Sequence, residues 1–305
     1  MIPEGIPTVQ DIVLDSSMTV KALIEQLYAA GGFTAKKLAE AAKILKEMIG
    51  DKNCIKFFSF PACIVATGCR GVIKELARRK LVDVIITTCG SWDHDIARSL
   101  GNYYHGSFEL DDYELREKNL FRLGNVLVPQ EVYGLAVERF MQGLLQELNK
   151  ESISTYELSW EIGKRLDESS FLYWCWKNKI PVIVPGPYDG AVGFQLFMYQ
   201  QTHKLQLDLY KDEKLLCDII FSAKRTGALI IGGGISKHHT IWWNQFKDGL
   251  DYSIYITTAV EWDGSLSGAR TREAVSWKKI AAHAKHITVE GDATVLLPLL
   301  VAYII

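Results

Sequence analysis

Residues 224–277 read KRTGALIIGGGISKHHTIWWNQFKDGLDYSIYITTAVEWDGSLSGARTREAVSW, and Lys278 and Lys279 follow directly. From Ala228 to Ile231 the stretch is a short apolar strand; it breaks into glycine at 232, 233 and 234 and then into a polar run carrying Lys237, His238 and His239. A buried strand that empties into a glycine turn is how an open α/β sheet makes a ligand crevice at its carboxyl edge. Further on, a strand over 254–256 ends in Thr257 and Thr258, with Glu261, Asp263, Ser265 and Ser267 behind it. A strand over 287–289 is followed by Glu290, Gly291 and Asp292.

The same pattern recurs upstream. Val82–Ile86 is β-branched and ends in Thr87, Thr88, Cys89 and Gly90, with Trp92, Asp93, His94 and Asp95 at the start of a helix. Hydroxyls and backbone N–H groups at such a turn can meet a phosphate or a ribose. Ile180–Val184 is closed by PGPYDG, which places Asp189 just past a strand end. Strands that end in Gly, Thr, Asp or Pro turns, with helices between them, predict an α/β fold with a mostly parallel central sheet, because crossover helices bury both sheet faces. No internal repeat or linker divides the chain, so one domain over 1–305 is expected.

The N-terminal part reads differently. The first 17 residues are extended and marked by Pro3 and Pro7; Thr19 then opens one helix, which ends at Gly31-Gly32, and Thr34 opens another, with Leu38, Ala41, Ala42, Leu45 and Met48 at helical spacing. These form an N-terminal helical elaboration over the sheet or a partner subunit. The segment 102–122 is polar and weakly periodic and predicts a surface excursion; 205–209 predicts another strand.

A net charge of -2 and a pI near 6.4 give no reason to bind a polyanion, so nucleic acid is not an expected partner. Six cysteines without a CxxC pair, and no signal peptide, point to reduced thiols in the cytoplasm and away from a zinc site. No apolar run reaches membrane-spanning length. The tail 293–305, interrupted by Pro298, reads as a buried final element.

Acids at several strand ends can converge on hydroxyls or on cationic amines. His238 and His239 are suited to proton transfer near neutral pH, and being adjacent they point differently, so one of them suffices. A lysine becomes an imine-forming nucleophile only when its amine is neutral. Lowering its pKa by about three units takes about 4 kcal/mol, which an apolar wall such as Trp277 is expected to help supply.

GGGISKHH, TTAVEWDGSLSGAR, EAVSWKK and GDATVLLPLLVA, with ITTCG and PGPYDGAVG upstream, resemble the deoxyhypusine synthase family, particularly its archaeal branch, from about Ile6 to the C-terminus. The resemblance implies a single large Rossmann-like domain, assembled as a homotetramer with NAD and polyamine sites at dimer interfaces. It implies that NAD oxidises spermidine, that the aminobutyl fragment is held as an imine on an enzyme lysine, and that it passes to a lysine of the hypusine-containing translation factor precursor. Lys279 takes the nucleophile's position and His238 that of the polyamine-side acid/base group. Glu273 and Trp277 fall in the substrate pocket, and Thr88, Asp95, Asp189, Gly232, Gly234, Thr258, Asp263 and Asp292 at the NAD site.

Against the eukaryotic pattern, His94 stands at a glutamate position, Phe194 and Leu266 at acidic positions, Trp242 at an asparagine and Lys278 at a glycine, and 61–66 (PACIVA) lacks the cofactor-side serines and threonine. Glu273, Asp93 or a partner subunit would have to supply the missing carboxylates. A homospermidine-type synthase with a free amine acceptor, and a catalytically silent oligomeric NAD- or protein-binding module, are the alternative readings.

Overall fold

The computed structural model describes residues 5–305, so Pro3 lies outside the described residues. In chain order the strands are β1 (Cys54–Ser59), β2 (Val84–Ile86), β3 (Tyr104–His105), β4 (Leu120–Leu123), β5 (Val126–Pro129), β6 (Ser152–Ile153), β7 (Val182–Ile183), β8 (Gln206–Leu207), β9 (Arg225–Ile231), β10 (Leu250–Thr257) and β11 (Ile280–Glu290). The central sheet has the order β11-β10-β9-β1-β2-β7, and its pairings are all parallel. The chain therefore runs outward from β1 through β2 to β7, crosses back past β1, and runs outward the other way from β9 to β11. That is the Rossmann-like order, and its reversal leaves a crevice between the carboxyl ends of β1 and β9.

Strand alternation divides the core into two. Phe58, Leu229, Ile231, Ile254 and Ile256 join one buried cluster, whereas Phe57, Ala228, Ile230 and Tyr255 join the other. Both faces of the sheet are covered, which is why its inner strands read as almost unbroken apolar runs. The N-terminal elaboration covers the first face. Thr19 Oγ1 caps the helix Val20–Ala30 by accepting from Ala22 N at 3.1 Å, Gly31 ends it at φ 68°, and the helix Phe33–Gly50 buries Leu38, Ala41, Ala42, Leu45 and Met48 in the same cluster as Phe58.

Several boundaries differ from expectation for physical reasons. β11 starts at Ile280, not 287; as the edge strand it has solvent-facing positions, so exposed His283 and polar Lys285 interrupt its apolar pattern. The segment 102–122 is more structured than a plain excursion: β3 and β4 flank the helix Asp112–Glu117 and pair antiparallel with β5 in a small sheet. Residues 205–209 contribute only β8, which pairs with β6 away from the central sheet. The tail forms the helix Ala293–Ile304 with Leu296, Leu297, Leu300 and Val301 buried. Among the described residues no helix is long and apolar enough to cross a membrane.

Candidate active site

The crevice at the chain reversal is a cavity of about 590 Å³. Pro61, Cys63 and Ile64 line it from beyond β1, Ile231 and Gly232 from β9, Thr257 and Thr258 from β10, and Asp292, Ala293 and Thr294 from beyond β11. Its floor depends on the glycine turn. Gly232 and Gly234 have φ of 68° and 69°, a left-handed region that side chains disfavour. A Cβ on Gly233 would sit 2.6 Å from Ser267 Cα, so any side chain here has to push the 258–270 loop aside. Gly232 N donates to Ile256 O at 2.8 Å, which ties the turn to β10.

Two acids reach this cavity. Asp263 Oδ1 accepts from Ser265 N at 2.7 Å, and the backbone and hydroxyl donors of Ser265 hold its carboxyl below the usual range. Asp292 caps the final helix, accepting from Thr294 N and Thr294 Oγ1 at 2.8 Å each. Exposed carboxylates, hydroxyls and a helix N-terminus around an apolar cleft fit the ribose hydroxyls and phosphates of a dinucleotide.

Next to it lies a smaller cavity of about 170 Å³, lined by Lys237, Tyr255, Leu266, Arg270, Glu273, Trp277 and Lys279 among others. The two cavities share the 258–270 loop as a wall: Ser265 and Ser267 line the larger one, Leu266 and Ala269 the smaller. Lys279 enters from the end of the helix Thr271–Ser276. Lys278 N donates to Val275 O at 3.0 Å and Lys279 N to Ala274 O at 2.9 Å, with Lys278 at φ 55°. This is a Schellman helix end, and Lys278 occupies its left-handed position, where glycine is the usual residue. The backbone thus turns Lys279 into the first position of the edge strand's approach.

The wall expected beside Lys279 is corrected. Trp277 is 62% exposed, and its ring lies 5.2 Å from Lys279 Nζ, so it attracts the ammonium in a cation–π contact instead of excluding it. The buried amine is Lys237, which is 1% exposed. Its Nζ donates to Leu266 O at 2.7 Å and Ala269 O at 2.8 Å and sits 4.0 Å over the Tyr255 ring. Burial pushes its pKa down to about 8, with Glu273 pulling it up and Arg270 adding to the fall. Among the described residues the buried Tyr255 hydroxyl has no hydrogen-bond partner.

The sequence reading assigned neither residue a role. The available signal was helical spacing: Lys237 shares the buried face of the helix Gly234–Gln245 with Thr240, Ile241 and Asn244. His238 lies on the exposed side of that helix, outside the lining of the small cavity. Its pKa is lowered by desolvation and by the charge of Lys279.

The remaining predicted positions separate. Thr88 Oγ1 accepts from Ala62 N at 3.1 Å and so braces the segment 61–64, but it does not line the cavity. Asp189 is exposed beyond β7, three strands away from β9.

Asp95 is corrected from a cofactor position to a structural one. It is fully buried; it accepts from Arg70 Nε at 2.6 Å, Ser170 Oγ at 2.6 Å and Leu172 N at 3.0 Å, leaving no surface for a ligand. Asp93 is also closed to a polyamine. It is buried and caps the helix Ala191–Gln200 by accepting from Ala191 N and Val192 N, both at 2.8 Å, and it takes the Tyr133 hydroxyl at 2.9 Å. His94 packs between Tyr103 and Tyr133, and burial lowers its pKa to about 4.

The family profile for deoxyhypusine synthase matches residues 22–304. This chain belongs to the deoxyhypusine synthase family. It is 54% identical over 298 residues to "Probable deoxyhypusine synthase" of Picrophilus torridus, covering 96% of each chain. It is 52% identical over 299 residues to the protein of the same name from Ignicoccus hospitalis, covering 96% of this chain and 93% of that one. The crystal structure of a candidate deoxyhypusine synthase from Entamoeba histolytica shares the fold, with a TM-score of 0.66, 21% identity and coverage of 97% of this chain and 96% of that one. The family's activity is NAD-dependent aminobutyl transfer of the deoxyhypusine synthase type, and this member of its archaeal branch is an enzyme of that kind.

Proposed function

We propose that the chain takes the 4-aminobutyl group of spermidine, holds it on Lys279, and passes it to one lysine of the hypusine-containing translation factor precursor. The observation that carries this reading is the pair of cavities that share the 258–270 loop as a wall. One has the features of a dinucleotide cleft; the other holds a lysine, a carboxylate and indole surface.

NAD would be held by Gly232, Gly234, Thr258, Asp263 and Asp292, with Thr88 bracing the opposite wall, and when bound it supplies the hydride acceptor and later the hydride donor. Glu273 offers the donor amine its counter-charge, and Trp277 offers it a π face. Once Lys279 has given up its proton, its amine adds to the carbon of the oxidised donor's C=N bond, and the C–N bond to diaminopropane breaks as that amine leaves with a proton. His238 moves the protons that these steps release and consume. The acceptor lysine then displaces Lys279 in the same manner.

The homotetramer is part of the proposal. It is supported by the helix Ala191–Gln200, where Phe194, Phe197 and Met198 are about half exposed on a surface beside Asp189. A second copy lying there would bring Asp189 to an interface, and mass measurement in solution tests it.

The deciding experiment is borohydride trapping during turnover with NAD and spermidine, followed by peptide mapping. A four-carbon amine adduct on Lys279 is expected. An adduct on Lys237 would move the nucleophile, and NADH formation only with another polyamine would replace the donor. An unmodified peptide under turnover conditions would reject the mechanism.

A further inference from the structure

His238 and Trp242 are one helical turn apart, and their rings stack with centroids 6.0 Å apart and planes at 15°. The stack is itself braced. Phe246 meets Trp242 edge-on at 5.4 Å and 86°, and also contacts Trp243 at 5.7 Å. Trp243 Nε1 in turn donates to Glu213 Oε2 at 2.7 Å, which anchors the row to the helix Leu209–Ser222. A general acid/base imidazole is ordinarily oriented by a hydrogen bond to its second nitrogen. Here the aromatic row stands beside the ring instead.

We infer that Trp242 is the positioning residue for His238, its indole holding the imidazole in the orientation from which it exchanges protons at Lys279. This rests on the acid/base role proposed for His238. Trp242 is 42% exposed and lies outside the lining of both cavities, so neither core packing nor cofactor contact accounts for it. The charged and titratable groups that face the imidazole are Lys279, from the start of β11, and His239 on its own helix. His239 Nε2 lies 3.2 Å from Glu213 Oε1, out of line for a hydrogen bond.

The test compares the full-length enzyme with W242A and W242F. General acid/base groups contribute on the order of 10²- to 10⁴-fold, so W242A should lower kcat by about tenfold or more. KM for spermidine should stay within about twofold, and W242F, which retains a stacking ring, should recover most of the loss. The acid limb of the kcat/KM profile should shift in W242A, because the imidazole loses the aromatic ring beside it. NMR titration of His238 should show the same shift without requiring turnover. Wild-type kcat together with an unchanged His238 titration would overturn the inference, as would a loss confined to KM, which would assign the indole to donor binding. If the wild-type enzyme shows no turnover, the proposed function fails, while the NMR comparison still decides whether Trp242 controls the imidazole.

Discussion

The two adjoining cavities are built in opposite ways. The larger is set by strand ends, a glycine turn and a helix N-terminus, with short Ser, Thr and Asp side chains beside apolar ones such as Pro61, Ile64, Leu123 and Val126. The smaller is made mainly of long side chains, Lys237, Arg270, Glu273, Trp277 and Lys279, brought in from separate elements. Backbone geometry fixed by a parallel sheet suits a cofactor that must be held in one pose. Flexible charged side chains suit a site where amines arrive, exchange and leave. The 258–270 loop belongs to both, and Lys237 fastens it from beneath through Leu266 O and Ala269 O.

That contrast can be broken at its strongest point first. Replacing Lys279 by Arg should cut aminobutyl transfer by at least about 10³-fold, because a covalent route is lost, while NAD binding measured by fluorescence stays near wild type. Loss of both together would mean that the cavities do not act separately.

The next effect concerns Asp95, which serves neither cavity. Asp95→Ala leaves Arg70 buried without its partner and should destabilise the fold by about 3–5 kcal/mol in denaturant titration. NAD affinity of the folded fraction should not change. A selective fall in affinity with unchanged stability would return Asp95 to the cofactor site.

Lys237 sharpens the comparison through pH. Its folded pKa of about 8 lies below the ordinary 10.5, so between those values the unfolded chain holds a proton that the folded chain has released. Its contribution to stability therefore rises with pH across that window, by about 2–3 kcal/mol. Lys237→Met should remove this rise from the difference between variant and wild type. Parallel stability curves from pH 8 to 10.5 would show that the amine is not held in a desolvated site.

The smallest expected change is at the backbone-built cavity. Gly233→Ala pushes a methyl group against Ser267 and should weaken NAD binding about tenfold, roughly 1.4 kcal/mol, with the fold retained. Unaltered affinity would show that the loop yields easily and that the turn does not set the cleft.

Much of this was legible in the chain. The strands over 228–231, 254–256 and 82–86 announced themselves by apolar content and by the turns that end them, since burial on both faces leaves no polar alternation to read. Gly232, Thr258, Asp263 and Asp292 stood at those ends and do meet around one cavity. β11 was under-read because an edge strand carries polar residues along its exposed side. Asp95 was misplaced because an acid at a helix start looks the same whether it faces a ligand or a buried arginine.

The sequence by itself determined the parallel α/β class, the strand-end turns and the family-bearing motifs around Lys279, because these depend on local periodicity and on residue identity. Only the tertiary structure decided which carboxylates are reachable, that Lys237 and not Lys279 is the desolvated amine, and that one loop divides two cavities. Burial and charge environment arise from segments that are distant in the chain, such as Arg70 beside Asp95 and Leu266 above Lys237, and no local pattern encodes them.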